Sequence, residues 1–170
     1  MEEGSMRCVI RPLLYGAAAG AAGTTALNLV SYADMALRAR PASATPEVTV
    51  RRLAARLHVR IPGDGPALDN RVAGLAPLTG IASGLGMGAL LSLARGAGRH
   101  PSRAPEYAVA AVGAMIGTNG PMTALGVTDP RTWSTSDWVS DIVPHLAYAV
   151  VTVAVLDRLD ATPSGGSVSR

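Results

Sequence analysis

Residues 140–152 read SDIVPHLAYAVVT, and this stretch decides the fold class. Its second half is an unbroken apolar run, while Asp141, Pro144 and His145 stand at its front. With its neighbours it forms an apolar segment at about 138–156, close to the ~20 residues that an α-helix needs to cross the hydrocarbon core of a membrane. The presence of ionisable residues in such a segment raises the question of what their side chains face.

Three further segments share this apolar character. They lie at about 13–36, 72–94 and 107–127, and they carry scarcely any charge inside. A helix of a soluble protein usually has a stripe of charged residues along one face, which none of the four segments has. The sequence therefore predicts an all-α fold, a four-span transmembrane helical bundle over residues 13–158. Buried helices of a globular protein are the alternative.

The composition favours the membrane interpretation. The chain has 170 residues, 48% hydrophobic and 16% charged, with no Phe. Its apolar residues are mostly Ala, Val, Leu and Gly, which is typical of helices that pack closely in lipid. The formal charge is only +3, and no basic patch is interleaved with aromatic residues, so nucleic-acid binding is not expected. The single Cys8 excludes an internal disulfide and a cysteine-rich metal site.

The two ends of the chain flank this bundle. Residues 1–12 form an N-terminal segment, and residues 159–170, rich in Ser and Gly, predict a flexible tail. The first apolar segment also has features of a signal peptide, with Arg7 and Arg11 before it. Its apolar run is longer than a typical signal peptide needs, and three more segments follow, which favours an uncleaved first span.

The only long connection is an Arg-rich loop at 41–70. It contains a predicted short amphipathic helix, with Thr45 as its cap, Pro46 in the first turn and Glu47 near the positive helix end. Such a helix either lies on lipid headgroups or packs on its own bundle, and both alternatives are open. The residues predicted to contact lipid or a partner are Arg51, Arg52 and Arg56.

Glycines at four-residue spacing predict close helix packing. The second span contains two overlapping GxxxG steps, and the first span contains one. These faces serve either packing within one chain or association of two copies. The predicted packing residues are Gly80, Gly84, Gly88, Gly16 and Gly20.

The second and fourth spans begin alike. VAGLAPL at 72–78 aligns with VSDIVPH at 139–145, with Val first and Pro sixth in both. This alignment suggests two repeated helix hairpins, at roughly 13–95 and 106–158. Small-residue sequences also align by chance, so the duplication is one of two alternatives.

Polar residues follow one line on each span. Asp141, His145 and Tyr148 are spaced i, i+4 and i+7, which places them on one helical stripe. Lipid cannot satisfy such groups, so these lines are expected to face inward and form a polar seam. The seam either provides structural hydrogen bonds or a path for protons or a small solute. Its candidate residues are Asp141, His145, Tyr148, Asn28, Asn119 and Thr123.

Three stretches carry a resemblance to a known group of proteins. RPASATPE, NRVAGLAPLTGIASG and DIVPHLAYAVVT resemble a group of small multi-pass membrane proteins of actinobacteria. The resemblance covers most of residues 12–158. It implies a helical bundle in the bacterial plasma (inner) membrane, and it implies no activity, ligand or catalytic residue.

The sequence contains no catalytic motif: no GxSxG, no P-loop and no second His near His145 for a metal. We therefore expect no enzyme activity, no cofactor and no metal site. The expected function is that of a structural or interaction-type membrane subunit, homo-oligomeric or associated with another membrane protein and in contact with membrane lipid. The alternative is a small conduit for protons or a small solute around His145. Arg residues are distributed evenly between the two ends, so the orientation stays open.

Overall fold

The computed structural model describes residues 2–98 and 102–161, with side chains from residue 9 onward. All regular structure in this part of the chain is helical, which confirms the all-α prediction. The elements are α1 (Glu2–Arg38), α2 (Thr45–Arg56), α3 (Gly65–Gly96), α4 (Arg103–Ala124), a short 3₁₀ turn (Pro130–Thr132) and α5 (Thr135–Asp160).

Several helix ends differ from the predicted ones for local reasons. The N-terminal segment is not separate, because α1 already begins at Glu2. Ser134 and Asp137 form a capping box, each accepting a hydrogen bond from the other's backbone N–H, so α5 begins before the predicted position 138. Thr45 is not the cap of α2; it is the first helical residue, and Ala44 precedes it without a side-chain cap.

Some predictions fall outside what the structure describes. The predicted flexible tail begins inside α5, which continues to Asp160, and residues 162–170 lie outside the described residues. The side chains of Arg7 and Cys8 also lie outside them.

The four long helices pack side by side. α1 lies against α3 and α5, and α4 lies against the same two helices, so α1 and α4 occupy opposite corners of the bundle. α2 packs on the first half of α3, through Val50, Val72 and Ala76. The core of the bundle is built mostly from small and aliphatic side chains: Ala19, Leu91, Ala110, Ala111, Ala149, Val153 and Leu156.

Three of these helices are long and apolar enough to cross a membrane. They are Val9–Arg38, Gly65–Gly96 and Thr135–Asp160. Large apolar side chains, among them Leu14, Leu90 and Val150, point outward on them. Because lipid rather than water solvates such a surface, the protein is of the membrane-embedded type. α4 is not among the three, and Asn119 and Pro121 interrupt its apolar run.

The residues aligned in the two suggested hairpin repeats have different surroundings. Val72 is buried beneath α2, whereas Val139 is exposed. Pro77 is exposed, whereas Pro144 is buried in the bundle. Equivalent residues of a regular repeat would share similar neighbours, so the duplication stays a prediction of the sequence.

Candidate functional site

The predicted stripe on α5 faces into the bundle. Tyr148 is fully buried, and its hydroxyl donates a hydrogen bond of 2.6 Å to the carbonyl of Gly84 on α3. Thr24 of α1 lies beside Gly84 and donates to the carbonyl of Gly20 at 2.8 Å. Thr152, one turn beyond Tyr148, is buried against Gly23. We call Thr24, Gly84, Tyr148 and Thr152 the central layer; it joins α1, α3 and α5.

Glycines allow this layer to form, because α1 and α3 touch through their backbones. A Cβ atom placed on Gly88 would lie 2.7 Å from the Cα of Gly20 and would also collide with the carbonyl of Gly16. Gly16, Gly20, Gly84 and Gly88 therefore lie together at one crossing within a single chain. Gly80, the fifth residue predicted for packing, is exposed, with open space where a side chain would be.

A second polar group joins α4 to α5. The Asn119 amide donates to the Asp141 carboxylate at 2.8 Å. Nδ1 of His145 lies 3.6 Å from the same carboxylate, and Nε2 lies 3.3 Å from the hydroxyl of Thr118. The side chains of His145 and Asp141 are 7% and 20% exposed. We call Thr118, Asn119, Asp141 and His145 the α4–α5 cluster.

The hydrogen bonds of His145 restrict its protonation. Nδ1 lies 2.7 Å from the backbone carbonyl of Asp141, which can only accept, so Nδ1 carries a proton. In the neutral ring, Thr118 donates to Nε2. In the charged ring, Nε2 donates to Thr118, whose hydroxyl then donates to the Ala114 carbonyl at 3.1 Å. Thr118 and Asp141 thus supply hydrogen-bond partners for both ring nitrogens of His145.

Two of the six seam candidates lie apart from both polar groups. Asn28 is half-buried on α1, and none of the hydrogen bonds of the central layer or the α4–α5 cluster includes it. Thr123 is exposed and borders a shallow open depression with Gly126, Asp129 and Arg131. The predicted single seam is thus two separate groups: Asp141 and His145 bond side chains of α4, whereas Tyr148 bonds the backbone of α3.

Sequence reasoning missed a charged group at one end of the bundle, where an Arg and a Glu are buried. The Arg95 guanidinium on α3 bonds Glu106 of α4 at 2.6 Å, and Asp157 and Asp160 of α5 at 2.8 and 2.9 Å. The Arg95 and Glu106 side chains are only 8% and 9% exposed. We call these four residues the Arg95 cluster. The available signal was the i, i+3 pair of Asp residues closing α5, opposite an Arg closing α3.

The Arg residues of the loop helix have different roles. Arg51 pairs with Asp69 of α3 at 2.6 Å. Arg52 donates to the carbonyls of Leu125 and Gly126, just beyond the end of α4. Arg56 is exposed. Two of the three residues predicted to contact lipid or a partner therefore hold α2 to the rest of the chain.

Across residues 2–98 and 102–161, no group of three or more His, Cys, Asp or Glu side chains is placed to hold a metal ion. The two ionisable residues of the α4–α5 cluster offer proton exchange and hydrogen bonding as their chemistry.

Comparisons with protein-family models, with curated proteins and with solved structures find no match to this chain.

Proposed function

We propose that the chain is a four-span protein of the bacterial plasma membrane with a structural or interaction role. In this proposal it is a subunit that associates with copies of itself or with another membrane protein. The proposal agrees with the resemblance to small actinobacterial membrane proteins. The observation that carries the structural role is the set of direct hydrogen bonds that join the helices: the Tyr148 hydroxyl donates to the Gly84 carbonyl, and the Asn119 amide donates to the Asp141 carboxylate.

The position of α4 supports a fourth crossing. Its first turn joins the end of α3 through Glu106 and Arg95, at the end of the bundle where α5 finishes. Its last turns meet the beginning of α5 through Asn119 and Asp141. α4 thus runs the length of the bundle beside two apolar helices, and neighbouring helices satisfy the polar groups that lower its own hydropathy.

The number of crossings is testable with single cysteines in the Cys8→Ser protein. We expect Ala42→Cys and Arg131→Cys to react with a membrane-impermeant maleimide from one side of sealed vesicles. Ala97→Cys should react only from the other side. Among the described residues between Ala97 and Arg131, α4 is the one α-helix, so labelling of both from the same side would contradict a fourth span. The cysteine-free protein gives the background.

The α4–α5 cluster favours a second candidate function, a proton conduit, because Asp141 and His145 lie 3.6 Å apart in an apolar segment. Near-complete burial of His145 and the direct bonds between the seam residues support the structural role instead. The backbone contact of α1 with α3 supports it as well, because it removes space along the bundle.

The two functions predict different results in reconstituted vesicles. For a structural subunit, we expect proton flux equal to that of protein-free vesicles. In lipid particles extracted from the native membrane, we expect a mass that corresponds to several chains or to a complex with a partner. The contrary result is a single chain that carries protons and that loses the proton flux in His145→Phe but keeps it in His58→Phe. This result would refute the structural role and establish the conduit. His58 is an exposed control outside the bundle.

A further inference from the structure

We propose that the end of α2 forms a binding surface for anionic phospholipid in the headgroup layer of the membrane. The surface consists of Leu53, Leu57 and Val59 together with Arg56 and Arg60, and we call it the α2 lipid surface. This inference rests on the membrane location in the proposed function and names the ligand at one of its surfaces.

The attachment of α2 places it at the level of the lipid headgroups. Val50 packs into a small core with Val72 and Ala76, in the first half of α3. Arg52 bonds the carbonyls that follow α4, at the same end of the bundle. α2 is therefore fixed beside the ends of two long helices, where an apolar span gives way to the interface.

The apolar side of α2 extends beyond the contact with α3. Leu53 and Leu57 follow Val50 at i+3 and i+7 and so lie on the same side, yet they are 38% and 61% exposed. Val59 is also exposed. α2 ends in a Schellman turn, with His58 at φ +55° and Val59 N–H bonded to the Ala54 carbonyl, which holds Val59 beside the helix. Acyl chains would cover these three side chains at the interface.

Two cations next to this apolar side are available for a ligand. Arg51 and Arg52 already have partners in the chain. Arg56 and Arg60 are exposed, and within the described residues neither forms an ion pair with a carboxylate. A guanidinium donates two parallel hydrogen bonds to a phosphate, and a headgroup that carries net negative charge is attracted more strongly than a zwitterionic one. Phosphatidylglycerol has this chemistry.

The test uses the full chain in nanodiscs, with a fluorophore at one position of α2. Leu57→Cys in the Cys8→Ser background carries an NBD group, and the bilayer contains doxyl-labelled phosphatidylglycerol or phosphatidylcholine as a quencher. The matched control is Ala55→Cys, exposed on the opposite side of α2. We expect quenching at position 57 that is several-fold stronger with phosphatidylglycerol, and little quenching at position 55.

A second set of variants tests the charges. We expect Arg56→Gln and Arg60→Gln each to lower the preference for phosphatidylglycerol about fivefold at low salt. Added salt should weaken the preference in the unchanged protein. Arg131→Gln is the control, because Arg131 is an exposed cation close to Asp129, and it should leave the preference unchanged.

Each contrary result has a defined meaning. Equal quenching by the two lipids at position 57 overturns the anionic ligand. An NBD group that is shielded from water but not quenched by either lipid overturns the lipid surface and indicates a protein, such as a second copy, at this position. In both cases the chain still elutes with the nanodiscs, so the proposed function stands. A chain that does not enter nanodiscs refutes the proposed function itself.

Discussion

Replacing Gly88 with Ala is expected to reduce the free energy of unfolding by about 2 kcal/mol, the cost typical of an overpacked core. Replacing Gly80 with Ala, two turns earlier on α3, should leave it unchanged or raise it by up to about 1 kcal/mol through helix propensity. Both residues belong to the same pair of overlapping GxxxG steps. Their opposite expected effects follow from what lies opposite each glycine.

At Gly88 the added methyl group would meet backbone and not a movable side chain. Its nearest neighbours are the Gly16 carbonyl and the Gly20 backbone of α1, with Gly20 Cα at 2.7 Å. α1 and α3 would have to separate, and that separation would disturb the Tyr148 bond to Gly84 one turn away. At Gly80 no atom lies within 4 Å of the added group.

The measurement is denaturant unfolding of the purified protein in detergent, followed by circular dichroism and by the fluorescence of Trp133 and Trp138, whose ring centroids lie 5.0 Å apart at the start of α5. Gly86→Ala, a second position on α3 with open space, provides an additional control. If Gly88→Ala and Gly80→Ala had equal stability, the α1–α3 backbone contact would be wrong.

These glycines also show how far the sequence predicts the packing. Four-residue spacing identifies faces suited to close approach, but α3 has two overlapping steps and only one partner helix on that side. Gly84 and Gly88 meet α1 and Gly80 does not, and this outcome depends on all the neighbours of α3 at once. The local pattern therefore predicts that such a contact exists and not which glycine it excludes.

For the polar residues too, the sequence predicts which way the side chains face but not which partners they meet. Asp141, His145 and Tyr148 do face inward on one stripe of α5, because their spacing alone determines that geometry. Their partners depend on the arrangement of the bundle, in which α5 meets α4 near Asp141 and reaches α3 at Tyr148. Asn28 and Thr123 also belong to regularly spaced polar positions on their own helices, but they lie outside both polar groups.

Arg95 was missed because of its position at the end of an apolar segment. An Arg that closes a span is ordinarily interpreted as a topology signal facing the headgroups. Here Glu106 lies in the first turn of α4, after the connection that follows α3, and Asp157 and Asp160 are far along the chain in α5. Only the tertiary arrangement brings these three carboxylates to one guanidinium. The Asp157 and Asp160 pair signals a charged end of α5, but the sequence does not show that Arg95 is its partner.

Replacing Arg95 with Met is expected to reduce the free energy of unfolding by about 3–5 kcal/mol, the cost of leaving a buried charge without its partner. Glu106 would remain almost fully buried, with Asp157 and Asp160 nearby, and the three carboxylates would lose the guanidinium that bonds them. The free energy of unfolding of Arg95→Lys should lie between those of the unchanged protein and Arg95→Met, because one ammonium cannot reproduce the three directed bonds of the guanidinium. The comparison with Arg103→Met, an exposed Arg in the first turn of α4, measures the cost of losing a cation at this end of the bundle.

The double variant Arg95→Met with Glu106→Leu distinguishes the loss of a paired charge from the loss of packing. If the penalty arises from the orphaned Glu106, removing this carboxylate should restore much of the stability, since apolar replacement of a whole buried pair is often neutral. The double-mutant cycle then gives a coupling energy of about 2 kcal/mol or more between the two positions, at the upper part of the range for residues in contact. Additive losses in the two single variants, or an Arg95→Met protein as stable as Arg103→Met, would show that Arg95 and Glu106 do not form a coupled buried pair. Because the pair is shielded from solvent, the coupling should persist in high salt, where an exposed pair such as Arg51 with Asp69 loses its contribution.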